Sequence, residues 1–292
     1  MTRAGIVAVV GRPNVGKSTL VNALVGHKVA IVSPVPNTTR RGVRGVRTSG
    51  DVQLVFVDTP GFHKPRTALG MRLNDLVGNA VSGVDAIVQV VDAAAGVGRG
   101  DAFVYERQVV GHAPVAVCAV NKSDLTVRRR IVPQLAVAAK LGDFDEIVPI
   151  SARTGDGVET LLELLVGAAP EGPFLFPEDA DTDQSLDERI AEAIRERAIA
   201  VARQEVPHSI AVVVDETELD GELLRVVASL VVERESQKPM LIGGGGEIVK
   251  RIGSQARTEI EAIAGKQVFL DLRVRVVKDW QRDPKALDRL GY

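Results

Sequence analysis

Gly11-Arg12-Pro13-Asn14-Val15-Gly16-Lys17-Ser18 follows the apolar run Ile6–Val10 and opens a helical stretch, Lys17–Leu24. In the pattern G-x-x-x-x-G-K-S the glycines let backbone N–H groups turn inward on phosphate oxygens, and the helix adds the positive end of its dipole. Lys17 is then placed to reach β- and γ-phosphates, and the Ser18 hydroxyl to ligate Mg²⁺. Asp58-Thr59-Pro60-Gly61-Phe62 ends another apolar run, Leu54–Val57. There Asp58 would hold Mg²⁺ through a water, and the Gly61 N–H would meet a γ-phosphate. Thr38 and Thr39 lie between the first helix and the next strand. The Thr39 hydroxyl can complete the Mg²⁺ shell only while a γ-phosphate is present. Two loops gripped by one phosphate and released on hydrolysis make a switch. Lys17, Thr39 and Gly61 are thus the catalytic candidates, and Ser18, Thr39 and Asp58 the metal candidates.

Phe62 stands where Ras-like enzymes carry a glutamine that orients the attacking water. A phenyl ring cannot do this. Slow intrinsic hydrolysis is expected, with the water placed by backbone, another residue, a partner or a monovalent cation. Arg40 and Arg41 beside the threonines read as an exposed basic loop in preference to an arginine finger. His63 and Arg128–Arg130 read as solvated charge.

Asn121-Lys122-Ser123-Asp124 follows the run Val115–Val120, at the strand end where such sheets bind ligands. The Asp124 carboxylate can accept from both guanine N1–H and the 2-amino group. Adenine offers neither donor and would leave the carboxylate desolvated and unpaired, a penalty that supports rejection by ~10⁴ or more. Ser151-Ala152, after Ile147–Ile150, would bring a backbone N–H to guanine O6. The expected ligands are GTP and GDP.

These residues need a scaffold. Ile6–Val10, Leu54–Val57, Ala86–Val91, Val115–Val120 and Ile147–Ile150 are continuous apolar runs rich in Val and Ile, separated by helical stretches such as Arg72–Val81 and Pro133–Leu141. That alternation predicts an α/β domain with a mostly parallel sheet covered on both faces, closed by a helix over Val158–Val166. Proline and acidic residues then break all periodicity. The expected boundaries are a nucleotide domain over 1–168, a linker over 169–187 and a second domain over 188–292.

The second domain reads as small and α+β. A helix over Glu188–Gln204, with Ile190, Ile194, Ala198 and Val201 on one face, precedes strands at Ser209–Val214 and Leu223–Glu233. A glycine run, a helix over Glu247–Ala264 and a strand over Val268–Val276 follow. Ile242-Gly243-Gly244-Gly245-Gly246 before a helix fits the KH (type II) pattern I-G-x-x-G, whose glycines let the loop approach a nucleic-acid backbone and clamp about four nucleotides. Lys250, Arg251 and Arg257 on the following helix are candidate phosphate partners. Aromatic content of 3% argues against a stacking platform, which needs several exposed rings. Single-stranded RNA is the expected ligand.

Composition bounds the rest. The chain has 292 residues, with 36 Lys+Arg against 38 Asp+Glu, and its single Cys118 excludes a disulfide partner and a cysteine zinc site. Cys118, His208 and Trp280 read as structural. Residues 171–240 carry 7 basic and 17 acidic residues, whereas 241–292 carry 10 and 7, so anion binding at the C-terminal end is compatible with a net charge of −2. No apolar run reaches ~18–20 residues, and the chain runs directly into a strand with no signal peptide, so a cytoplasmic monomer is expected.

Over essentially its whole length the chain resembles the Era family of bacterial GTPases. The stretches that carry the resemblance are GRPNVGKSTLVNAL, PNTTR, DTPGFHKP, NKSD and ISA, continuing through PEGPFLFPEDADTDQ, QEVPHSIAVVVDE, IGGGGEIVKRIGSQAR and VKDWQRD. The resemblance implies GTP hydrolysis coupled to assembly of the small ribosomal subunit. It also implies binding of single-stranded rRNA near the 3′ end of the small-subunit rRNA, and a peripheral contact with the inner face of the cell membrane. Asn14 matches an asparagine that binds a monovalent cation in related GTPases, which makes K⁺ a candidate activator. Era-like KH loops usually carry lysines where this chain has Gly244 and Ile248. Two other classes compete: a signalling GTPase whose C-terminal domain binds protein or membrane, and an RNA-modifying enzyme gated by GTP.

Overall fold

A computed structural model describes residues 1–62, 65, 67–202 and 206–292, with Arg128 by its backbone alone. Two compact units result: one of Met1–Val32, Asn37–Pro65 and Arg72–Asp183, the other of Ser33–Pro36, Arg66–Met71 and Gln184–Tyr292.

In the first unit the strands are β1 (Arg3–Gly11), β2 (Val43–Ser49), β3 (Val52–Asp58), β4 (Ala86–Asp92), β5 (Val115–Asn121) and β6 (Glu146–Pro149), ordered β2-β3-β1-β4-β5-β6. All neighbours pair in parallel except the hairpin β2/β3. Their continuous apolar runs reflect burial on both faces. On one face α1 (Lys17–Val25) buries Leu20 and Leu24, beside Leu161 and Leu165 of α5 (Val158–Ala168). On the other, Val77 of α2 (Ala68–Ala80) and Val104 of α3 (Arg99–Gln108) pack on Ala8, Val10 and Ile87. Ala138 of α4 (Arg128–Ala138) covers Val91, Cys118 and Val120. Register brings Val9 opposite Asp58, Gly11 opposite Val90 and Asp92 opposite Asn121, so the carboxyl ends of four strands open at one edge.

Two elements carry no apolar signature in the sequence. The strand β2 reads VRGVRTS because it is an edge whose partner pays for half its backbone bonds, and α3 reads RGDAFVYERQ with only Asp101, Val104 and Gln108 buried. The acidic stretch after α5 is also more ordered than its composition implies. Glu171 bridges Arg3, Thr182 bridges Gly45, and the buried Gln53 side chain bonds the N–H groups of Leu175 and Phe176 and the Phe176 carbonyl.

The second unit has α6 (Leu186–Val201), β7 (Ala211–Asp220), β8 (Leu223–Val232), α7 (Lys238–Ile242), α8 (Glu247–Ala264), β9 (Gln267–Val276) and α9 (Pro284–Arg289). Its sheet runs β7-β8-β9, antiparallel then parallel. Ser185 caps α6 through Glu188 in a capping box, so the helix starts at Leu186, two residues before the expected Glu188. It ends at Val201, with Ala202 already extended (ψ 151°), short of the expected end at Gln204, which lies outside the described residues. Ile190, Ile194 and Ala198 of α6 and Ile252, Ala256 and Ile260 of α8 bury against Val226, Ala228 and Leu230. Trp280 is fully buried, donates from Nε1 to the Ser209 carbonyl at 3.1 Å and stacks on Tyr292.

Candidate functional site

The loop between β1 and α1 closes on itself. Gly16 caps α1 in the left-handed region (φ 100°), where a Cβ would overlap Asn121 Nδ2. Asn121 in turn donates to the Val15 carbonyl at 2.8 Å and accepts from the Ala152 N–H at 2.9 Å. One amide side chain therefore ties the phosphate loop, the end of β5 and the loop after β6 together. Lys122 adds a second tie, reaching the Asn14 carbonyl at 2.7 Å and Asp92 Oδ2 at 2.6 Å. Asn14 (φ 63°) and Lys122 (φ 65°) both hold left-handed backbones at these ties.

Lys17 is 6% exposed, and its ammonium donates to the carbonyls of Gly11 (3.2 Å) and Arg12 (3.0 Å). Burial lowers its pKa to about 8, against the opposing pull of Asp58. Three oxygens converge beside it: Ser18 Oγ lies 2.7 Å from Asp58 Oδ2 and 3.0 Å from Thr39 Oγ1, which is 3.1 Å from the same carboxylate oxygen. Mg²⁺ holds oxygens at ~2.0–2.1 Å, which sets neighbouring ligand positions about 2.9 Å apart in an octahedron. That is close to the 3.0 Å between Ser18 Oγ and Thr39 Oγ1, with Asp58 within reach of a bound water. The donor set fits that ion.

Other expected site residues take different duties. Arg12 turns away from the loop, its Nε bonding Asp101 of α3 at 2.7 Å. Thr59 spends its hydroxyl on the Val9 carbonyl at 2.7 Å, and Pro13 packs against Gly61. Thr38 and Pro60 are buried, and the Phe62 N–H donates to the Gly11 carbonyl. Arg40 is 4% exposed, so the exposed basic loop expected there is not what forms. His63 lies outside the described residues.

At the base end, Asp124 accepts from Ser151 Oγ at 2.7 Å and pairs with Arg153. The Ser151 bond, followed by Arg153, holds the carboxyl below its ordinary range against the cost of desolvation. The Ser123 N–H bonds the Ile150 carbonyl and fixes the two loops side by side. Of the backbone N–H groups of Ser151-Ala152, one of which is expected to reach guanine O6, that of Ala152 donates to Asn121 Oδ1 at 2.9 Å and that of Ser151 to the Asp156 carbonyl at 2.8 Å. Three contributors escaped sequence reasoning: Arg153, Asp101 and Asp92. Arg153 directly follows Ser151-Ala152, a hint in hindsight. The other two could not be paired with their cations without the fold.

In the second unit Gly243 (φ 74°), Gly245 (φ 59°) and Gly246 (φ 83°) adopt backbones that favour glycine, and a Cβ on Gly243 would lie 2.7 Å from Ile248 Cγ1. Gly244 is exposed and needs no such freedom. Behind this loop runs a groove of about 410 Å³ between α8 and the edge strand β9. Val249, Lys250, Gly253, Ser254 and Arg257 form one wall, and five consecutive residues, Val268–Leu272, form the other. Side chains alternate across a strand, so a consecutive run means that the strand's edge lines the groove. Lys250 and Arg257 thus share the groove, whereas Arg251, also exposed, is not among its lining residues.

Comparison with known proteins agrees with both units. A family model described as 50S ribosome-binding GTPase matches residues 6–122, and a KH domain model matches residues 205–281. GTPase Era of Mycobacterium bovis (strain BCG / Pasteur 1173P2) is 48% identical over 99% of this chain and 98% of its own. The chain belongs to the Era family of GTPases. Era of Mycobacterium sp. (strain KMS) is 47% identical over the same share of this chain and 99% of its own. A crystal structure of Era in complex with MgGDPNP and nucleotides 1506–1542 of 16S ribosomal RNA superimposes with a TM-score of 0.96 at 38% identity, covering 100% and 99% of the two chains. A single-substitution variant of Aquifex aeolicus Era bound to GDP and AlF₄⁻ gives 0.96 at 37%, with the same coverage. The Era family thus supplies a GTPase unit and a KH unit in the order found here.

Proposed function

We propose that this Era-family GTPase is a switch that binds single-stranded RNA from the 3′ region of small-subunit rRNA and acts in assembly of the small ribosomal subunit. In this reading residues 1–168 bind and hydrolyse GTP, 169–187 connect, and 188–292 bind RNA. The supporting observation is the pairing of a fitted nucleotide site with a glycine loop followed by a helix, α8, whose Lys250 and Arg257 line a groove. The choice of rRNA as partner is supported by an Era relative solved with both MgGDPNP and nucleotides 1506–1542 of 16S ribosomal RNA bound.

Backbone N–H groups of Gly11–Ser18 and the Lys17 ammonium bind the phosphates, and Asp124 reads the guanine edge. Ser18 and Thr39 hold Mg²⁺, with Asp58 behind them; the ion neutralises charge on the β- and γ-phosphates. Gly61 offers its N–H to the γ-phosphate, and release of Thr39 and Gly61 after hydrolysis is the switch. Asn14, in its left-handed backbone at the loop's turn, is the candidate K⁺ ligand. The protein acts as a monomer in the cytoplasm, with a peripheral contact at the inner face of the membrane. No helix among the described residues is long and apolar enough to cross one.

The deciding experiment is binding of a labelled single-stranded 3′-terminal fragment of small-subunit rRNA, with a non-hydrolysable GTP analogue, GDP or no nucleotide, at two salt concentrations. Binding that weakens with salt, differs between nucleotides and is lost in Gly243→Asp is the expected result. Intact GTP hydrolysis with no RNA binding in any state would leave the signalling reading in its place.

A further inference from the structure

The helix α3 touches both the phosphate loop and the residue that follows Gly61. Asp101, 1% exposed, accepts from Arg12 Nε of the phosphate loop at 2.7 Å, and its other oxygen accepts from the Gly98 N–H at 2.9 Å. Two residues along, the Phe103 ring stacks on Phe62, the residue after Gly61, with centroids 5.5 Å apart and planes at 19°. The Arg107 guanidinium lies 5.9 Å from the same Phe103 ring. Gly61 is pressed on the phosphate loop, since a Cβ there would lie 2.7 Å from Pro13 Cα.

Phe103 is 40% exposed, so burial in a core does not explain its ring. Its aromatic partner does. Phe62 cannot orient water, but a ring stacked on a helix that is itself bonded to the phosphate loop can anchor the backbone next to it. We propose that Phe103 is a positioning residue for GTP hydrolysis: through the stack on Phe62 it fixes the Gly61 N–H against the phosphate loop. Phe103 touches neither nucleotide nor water and acts only through Phe62. The inference rests on Gly61 being the γ-phosphate contact.

The test is steady-state hydrolysis of Mg·GTP by the full chain. In Phe103→Ala, kcat falls by about two- to tenfold, the range set by an aromatic pair, while KM and GDP affinity hold. Phe103→Tyr, which keeps the stack, restores the rate. Phe62→Ala loses the same factor, and the double variant loses no more than either single one. An unchanged or raised kcat in Phe103→Ala, additive losses in the double variant, or a parallel loss of GDP affinity would overturn the proposal. Gly61→Ala separates the two layers. Alanine keeps the N–H, but its Cβ would meet Pro13 and displace it. Normal hydrolysis there would show that the position of this N–H does not matter, removing Gly61 as the phosphate contact, whereas an inactive Gly61→Ala beside a normal Phe103→Ala removes only the role of Phe103.

Discussion

Burial sets the charge of Lys17. Its pKa of about 8, down from 10.5, means that the unfolded chain binds this proton more tightly, so the nucleotide-free protein gains stability as pH rises through that window. Phosphate binding demands the protonated form and runs the other way. Guanine-nucleotide affinity is expected to be about tenfold weaker at pH 9 than at pH 7, with proton uptake visible by calorimetry in buffers of different ionisation enthalpy. A flat profile would show that Lys17 stays charged without phosphate. Asp124 is also lowered, but nucleotide binding needs its deprotonated form. Ser151 and then Arg153 lower its pKa, so the carboxylate stays ionised below the ordinary range and affinity should not fall between pH 7 and pH 5. Asp124→Asn replaces one acceptor edge by an amide that can donate to a 2-carbonyl. GDP binding should fall by ~10² or more while xanthosine diphosphate gains, as competition binding would measure.

Among the elements, α8 shows best what pattern alone can specify. Its apolar residues Ile252, Ala256 and Ile260 repeat at helical spacing between two glycines, and its limits Glu247–Ala264 are those read from the sequence. Its loop was legible as a glycine run, but not which glycines are needed for their backbone. Only Gly244 of the four has an ordinary φ and an open side-chain position, with Glu247 Oε1 3.9 Å away. Gly244→Lys should therefore fold normally and tighten RNA binding, steepening the dependence of log K on log salt by ~0.7, one phosphate contact on a single strand. Gly243→Ala meets Ile248 and should weaken it. Filter binding across a salt series distinguishes the two, and equal effects would mean that the loop does not approach phosphate. By contrast β2 and α3 were illegible, because an edge strand and a half-exposed helix bury too few side chains to leave a period.

On the scale of the molecule, each unit carries its own core: the first around Val9, Phe56 and Val88, the second around Ile194, Ala228 and Ile260. The residues proposed to bind GDP and Mg²⁺ all belong to the first. Thermal unfolding should show two transitions, and ligand at 100 times its Kd should raise only one, by about 2.7 kcal/mol. A single transition that moves as a whole in calorimetry would mean that the cores melt together. By itself the sequence determined the fold class, the guanine-nucleotide chemistry and the two-unit order. Those depend on local facts: apolar runs long enough to be strands, and glycines, lysine and carboxylates at spacings that a single loop can satisfy. Tertiary structure alone decided the partners across the chain. Arg12 meets Asp101, Asn121 spans two loops and Phe62 meets Phe103 because parallel register brings strand ends together from residues 89, 106 and 41 positions apart. A linear pattern carries no distance between such residues; the packed sheet does.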